Sequence, residues 1–558
     1  MTHDSADSAH QRTVHTVGRS ALLVTCPDLK DVLALHEALT HSPLPGQLEL
    51  IPAATTVLVR FRSRLSTDAA HRTAAHLRSL RGVSGSASEA NTVELAVQYH
   101  GEDLDDVAEH LGISTDAVID RHSGRNWTAA FSGFSPGFAY LVPADGDDTA
   151  PLTVPRRSSP RTKVPAGSVA LAGDFSAVYP SDSPGGWQLI GTTNSPVWDL
   201  SREVPALITP GTRVRFTATR ESMELQESAS AEPSDSPDEG TIRIEAPGLS
   251  TIAQDPGRRG HIDWGVSPSG WADAEAAESA NRLVGNAPAA TVLENTAGGL
   301  SLTALRDTVL AVTGARTEVT VSGDQPSRRP EDRPFALLEG QRLTLGPTTR
   351  GLRVYVAVRG GFQIDAVLGS SATDTLARLG PPPITRGTIL RAGPEPRHAV
   401  LTSWPAVDLP PADDVTDIPF TPGPRDDWFT EDSLNRLNDF TWRVAQESNR
   451  VGVRLAPPES AEGATPLVRT NAALGKELPS EGVVAGSIQV PPNGHPVIFM
   501  ADHPVTGGYP VIGVVEPEHL RLLAQAPPGT AVRLHHKTSN AYPVSPTNLT
   551  ENTPCAKF

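Results

Sequence analysis

Two cysteines, Cys26 and Cys555, are all that this 558-residue sequence contains. They stand far apart in the chain, which excludes a disulfide framework and a four-thiolate zinc site and fits a reducing, cytoplasmic setting. Long apolar runs are missing as well. No stretch nears the roughly 18 residues that a membrane span requires, and residues 1–18 lack the basic start and apolar run of an export signal. Positive charge is scarce, with 47 Lys and Arg against 64 Asp and Glu and a formal net charge of −17. Such a surface repels phosphate backbones, so nucleic acid is not expected as a partner. No G-x-x-x-x-G-K-[ST] stretch occurs, so any ATP is not held by that phosphate cradle. The few lysines, Lys30, Lys163, Lys476, Lys537 and Lys557, never stand between methionines, and the Met-Lys-Met signal for biotin attachment is therefore absent. His535-His536 and the His495, His503 pair lack the spacing of a zinc site.

What is plentiful is punctuation. The chain holds 51 prolines and 47 glycines, an excess that favours short strands joined by turns over long helices. Its length calls for three or four domains. Residues 1–16 read as a disordered tail and 17–90 as a small α/β unit, with a helix over 28–39 capped by Asp28 and burying Val32, Leu35 and Leu39. Residues 91–220 read as a barrel. It opens on an alternating strand, 92–99, followed by two short helices, the second running from 115 to 122 behind Ser114. Residues 221–240, ESMELQESASAEPSDSPDEG, have almost nothing to bury and read as an acidic linker. A second module spans 241–545 in two barrel-like halves, with a helix over 272–284 started by Asp273 and ended by Gly285. Residues 546–558 form a tail. The fold class expected is α+β, dominated by β.

One motif invites the wrong chemistry. Gly133-Phe134-Ser135-Pro136-Gly137 satisfies G-x-S-x-G, but a nucleophile elbow uses the backbone N–H of the residue after the serine. That residue is Pro136, which has no N–H, so a turn is the better reading. More informative are Arg156, Arg161 and Lys163, three cations within eight residues of an acidic protein. Fixed cations beside exposed backbone N–H groups suit a carboxylate or a phosphate, and a plain solvated face is the alternative.

Taken together, the long segments resemble two families in tandem. FSGFSPGFAYL, the run PRRSSPRTKVPAGSVALAG and SPGGW, preceded by His122, resemble allophanate hydrolase subunit 1, the KipI or PxpB type. QDPGRRG, GVSPSG, ANRLVGN, ESNRVGVRL, SEGVVAGSIQVPP and TGGYP resemble subunit 2, the KipA or PxpC type. The resemblance implies cyclophilin-like β-barrels in tandem. It also implies membership of an ATP-dependent 5-oxoprolinase, completed by a PxpA (LamB/YcsF-like) subunit and using ATP with magnesium to open a lactam to glutamate. Two alternatives are a biotin-dependent carboxyltransferase acting on urea or a related amide, with biotin carried on another chain, and a histidine-kinase inhibitor of the KipI type. A homo-oligomer is compatible with each. One position departs from the family's T-T-G-G-Y-P, because Val505 precedes Thr506.

With the resemblance in hand, the expected site falls into two clefts. His122, Arg156, Arg161 and Lys163 with the turn Gly185, Gly186 and Trp187 would line one. Glu481, Gln489 and Asp502, with Gly507, Gly508 and Tyr509, would line the other. His122, Glu481 and Asp502 are the candidates for proton transfer, the rest for binding substrate or phosphate. No metal ligand set is expected.

Overall fold

The computed structural model describes residues 12–80, 91–144, 150–157, 159, 161–219, 240–322, 326–405, 408–411, 414–458 and 467–536. Strands dominate it throughout, and helices are short. The first unit is a four-stranded antiparallel sheet in the order Thr13–Val17, Ala21–Thr25, Thr56–Phe61, Gln47–Pro52, covered by helices Leu29–His41 and Thr67–Ser79. The Asp28 carboxylate accepts the Asp31 amide at 2.8 Å and caps the first helix, which buries Val32, Leu35 and Leu39 as its spacing requires. The tail reading fails at its inner end: Thr13–Val17 is a paired strand. It is anchored by Arg12, whose guanidinium grips Asp31 and the carbonyls of Leu77 and Leu80. The acidic stretch read as a linker lies outside the described residues except for Gly240, as does the tail 546–558.

Two seven-stranded sheets share one topology. In chain order the first uses Thr92–Val97, Asn126–Ser132, Ala139–Pro143, Ser168–Ala172, Phe175–Val178, Gln188–Thr192 and Arg213–Ala218. The second uses Thr416–Pro422, Thr441–Val444, Gly452–Ala456, Ser487–Gln489, Val497–Phe499, Val511–Val515 and Ala531–His536. Around both, the strands run sixth, fourth, fifth, third, second, seventh, first. In both, the first and last strands are parallel, the rarer pairing. The second sheet is a closed barrel, and the first is drawn shut by an antiparallel bridge between Gln98 and Thr192. Each also carries a two-stranded flap in the same place, Arg161–Val164 with Ser183–Gly185 in one and Glu481–Gly482 with Thr506–Gly507 in the other.

Between the barrels in sequence lies a ten-stranded sheet built around two long antiparallel strands, Thr308–Ser322 and Arg342–Val358. Helix Ala274–Leu283, capped by Asp273, packs Ala276, Ala280 and Leu283 against it. Among the described residues, no helix is long and apolar enough to cross a membrane.

Candidate functional site

The first barrel's loop at Gly133 meets the second barrel at the flap strand Thr506–Gly507. A Cβ on Gly133 would overlap the Thr506 side chain, so only glycine allows the approach. The next residue, Phe134, is held at φ 62 and donates its amide to Thr506 Oγ1 at 3.2 Å. A bulky residue in that region is strained, and here the strain aims an N–H across the junction. Gly137 donates to the Trp264 carbonyl at 2.8 Å, closing the loop against the second module. The G-x-S-x-G segment is therefore a docking turn, with the Ser135 hydroxyl buried and unpartnered among the described residues.

Beneath this turn lies an aromatic wall of Phe138, Tyr140, Tyr179 and Trp187, with ring centroids 5.2–5.5 Å apart. The Tyr140 phenol faces the Ser480 and Thr506 hydroxyls of the other barrel. Burial raises the Tyr140 and Tyr179 phenols above their ordinary range, so both are neutral hydrogen-bond donors near pH 7. Arg156 sits beside both phenols, and its Nη1 lies 3.6 Å from where a Cβ on Gly508 would stand. It is exposed and makes no ion pair among the described residues. A cation without a counter-charge, walled by neutral phenols and glycine-rich turns, can receive a small anion.

The other expected residues divide sharply. Gly185, Gly186 and Trp187 form the turn beside Tyr179, and the Gly186 carbonyl accepts the Arg157 amide at 2.8 Å. On the facing barrel, Gln489 donates its amide to the Tyr509 carbonyl at 3.0 Å, fixing the turn that carries Gly507, Gly508 and the half-exposed Tyr509. These residues do come together with Arg156.

Arg161 and Lys163 do not serve as free cations. Arg161 binds Asp103 through two nitrogens, at 2.8 and 2.9 Å, and also reaches Glu102; Lys163 pairs with Asp182 at 2.8 Å. Asp103 is itself buried and accepts the Leu189 amide at 2.7 Å. Burial would push it up, but these donors outweigh that and hold it below the usual range. The pair clamps the flap to the barrel.

The three proton-transfer candidates are corrected too. His122 is fully buried in the barrel core, its ring tilted against Phe216 with centroids 4.4 Å apart, and the Tyr99 and Ser176 hydroxyls lie 2.7 and 2.8 Å from its two nitrogens. It packs with Trp127 and Phe216, a core separate from the Tyr140–Trp187 wall. Burial lowers it to about 3, so it stays neutral. Glu481 is buried and ion-paired to Arg425, and Asp502 is gripped by two of the three Arg450 nitrogens at 2.9 and 3.0 Å. Asp502 also accepts the Ser269 hydroxyl at 2.6 Å and the Thr375 hydroxyl at 2.7 Å. Neither carboxylate has a free face to offer a substrate.

Sequence reasoning overlooked a second constellation behind Asp502. Asp374 is buried, raised to about 7 by burial and then by the Asp502 charge, and its Oδ2 has no hydrogen-bond partner among the described residues. Arg258, from QDPGRRG, is buried 3.9 Å from it. No group of three His, Cys, Asp or Glu able to hold a metal occurs among the described residues.

Comparison with known proteins places this architecture. The carboxyltransferase domain, subdomain C and D, matches residues 12–208, and the carboxyltransferase domain, subdomain A and B, matches 264–536. The first half is 37% identical over 205 residues to the B subunit of 5-oxoprolinase from Escherichia coli O157:H7, covering 36% of this chain and 90% of that protein. The second half is 33% identical over 300 residues to the C subunit of 5-oxoprolinase from Escherichia coli K12, covering 52% of this chain and 89% of that protein. Urea amidolyase of Saccharomyces cerevisiae is 31% identical over 311 residues, 52% of this chain but only 16% of that much longer enzyme. The crystal structure of TTHA0988 superposes with a TM-score of 0.76 at 33% identity, covering 92% of this chain and 99% of that one. The chain belongs to the carboxyltransferase-domain family of enzymes that includes the B and C subunits of 5-oxoprolinase and urea amidolyase, with its C and D half placed first.

Proposed function

We propose that the chain is the fused B and C component of an ATP-dependent 5-oxoprolinase, which opens the lactam of 5-oxoproline to glutamate together with a PxpA (LamB/YcsF-like) subunit. The observation that carries this reading is the unpaired Arg156 in the cleft where the two barrels meet. 5-Oxoproline brings a carboxylate and a lactam carbonyl. The Arg156 guanidinium suits the carboxylate, and the neutral Tyr140 and Tyr179 phenols can hydrogen-bond to the carbonyl oxygen. An unactivated amide carbon resists water, and ATP would supply the phosphoryl group that activates its oxygen. Gly508, whose missing side chain would stand 3.6 Å from the Arg156 guanidinium, keeps the backbone clear beside it for the negative charge this creates. Glu481 and Asp502 are positioning residues in this reading, because their ion pairs fix the flap and the wall behind it.

Similarity to urea amidolyase supports a second reading, a carboxyltransferase taking its carboxyl group from biotin on another chain. One assay separates them. The chain, its PxpA-like partner, ATP and 5-oxoproline are mixed, and glutamate is followed with and without avidin. Avidin-resistant glutamate formation without bicarbonate supports the oxoprolinase. Avidin-sensitive carboxyl transfer to urea with no glutamate would replace it by the carboxyltransferase.

A further inference from the structure

Where the N-terminal sheet packs on the second module, a cavity of about 410 Å³ opens to solvent. Its wall on one side is Arg60, Arg62 and Arg64, three guanidiniums at alternate positions at and beyond the end of strand Thr56–Phe61. Facing them is Arg259 of QDPGRRG, with Ser269 beside it. Glu49 is the one carboxylate in this lining, and it is spent on Arg60. Arg64 is paired with Glu518. Arg62 and Arg259 are exposed and make no ion pair among the described residues. Ser269 is fixed in place by its 2.6 Å bond to Asp502 and held at φ 54.

We infer that this cleft is a binding site for a small polyanion carrying linked phosphates. A net charge of −17 repels anions from the surface as a whole, so two unneutralised guanidiniums facing one cavity, Arg62 and Arg259, form a local trap. Arginine forks match phosphate oxygens bidentately, and two free forks from opposite walls suit two phosphoryl groups better than one carboxylate. The volume falls in the range of small-ligand pockets and leaves space beyond a single phosphate. Unlike Arg156, these arginines lie in neither barrel, so the site is separate from the barrel–barrel junction and does not depend on the oxoprolinase reading.

Calorimetric titration of the full chain with inorganic tripolyphosphate at low salt tests it, with no partner protein and no 5-oxoproline present. Saturable one-to-one binding is expected. It should weaken about tenfold or more in Arg62→Ala/Arg259→Ala and with added salt, and stay unchanged in Arg156→Ala. Unaltered thermal melting of the double variant confirms that its fold is kept. Absence of saturable binding, or equal affinity in the double variant, overturns the site. Loss in Arg156→Ala with retention in the double variant would move the polyanion to the barrel–barrel cleft. Because the titration contains no lactam, its failure leaves the oxoprolinase reading standing, and failure of glutamate formation leaves the titration result standing.

Discussion

Trp127 and Trp442 hold the same place in two barrels of one topology. Each buries its indole and donates the N–H to the carbonyl five residues earlier, His122 at 3.1 Å and Leu437 at 3.2 Å. His122 thus stands where the sister barrel has leucine. A site that accepts leucine in one copy is a core position, which agrees with the neutral, fully partnered imidazole seen in the other.

The pH dependence of stability follows from that position. His122 is held at about 3 in the folded chain against about 6.5 when unfolded. The unfolded chain therefore binds the proton first on acidification, and the contribution is complete above about pH 6.5 and is lost towards pH 3. His122→Leu should give melting temperatures that fall less steeply between about pH 6.5 and 4. At neutral pH it should cost about 1–3 kcal/mol, because the Tyr99 and Ser176 hydroxyls lose their partner. Equally steep acid destabilisation in the variant would remove His122 from this account.

The flaps are clamped by ion pairs of opposite polarity. Arg161, which faces Gly185 across its flap, is held by Asp103; Glu481, which faces Gly507, is held by Arg425. Glu481→Gln should destabilise by about 3 kcal/mol, since Arg425 keeps a buried charge. Arg161→Ala should cost less, about 1–2 kcal/mol, because Arg157 still reaches Asp103. Urea denaturation reads both, and midpoints equal to wild type would show the clamps to be inert.

Gly133 is one point of close contact between the modules. Gly133→Ala should destabilise by about 1–3 kcal/mol through overlap with Thr506. Adding Thr506→Ala should recover part of that loss, so the two effects will not sum. A double-mutant cycle with purely additive terms would contradict the contact.

Local signals were legible in the sequence and long-range ones were not. Asp28, Ser114 and Asp273 each cap the helix expected after them, because a cap is written in neighbouring residues. Thr13–Val17 was missed since a polar edge strand with two buried valines resembles a tail until Arg12 finds Asp31. Arg161 looked like a binding cation because its partner, Asp103, stands 58 residues away. The duplication was readable, in PAGSVAL against VAGSIQV and GGWQLIG against GGYPVIG, but it spans whole modules rather than a short period. Alternation in Arg60-Phe61-Arg62-Ser63-Arg64 was equally visible, and only the fold sets Arg259 opposite it.

The most direct test is glutamate release from 5-oxoproline by the chain with the proposed PxpA-like subunit and ATP, comparing wild type with Arg156→Ala. Arg156 is exposed and unpaired, so its loss should leave the melting temperature within about 1 °C. Turnover should fall about a hundredfold or more, with a raised KM for 5-oxoproline if the guanidinium binds its carboxylate. Wild-type kcat and KM in Arg156→Ala would contradict a lactam site between the two barrels.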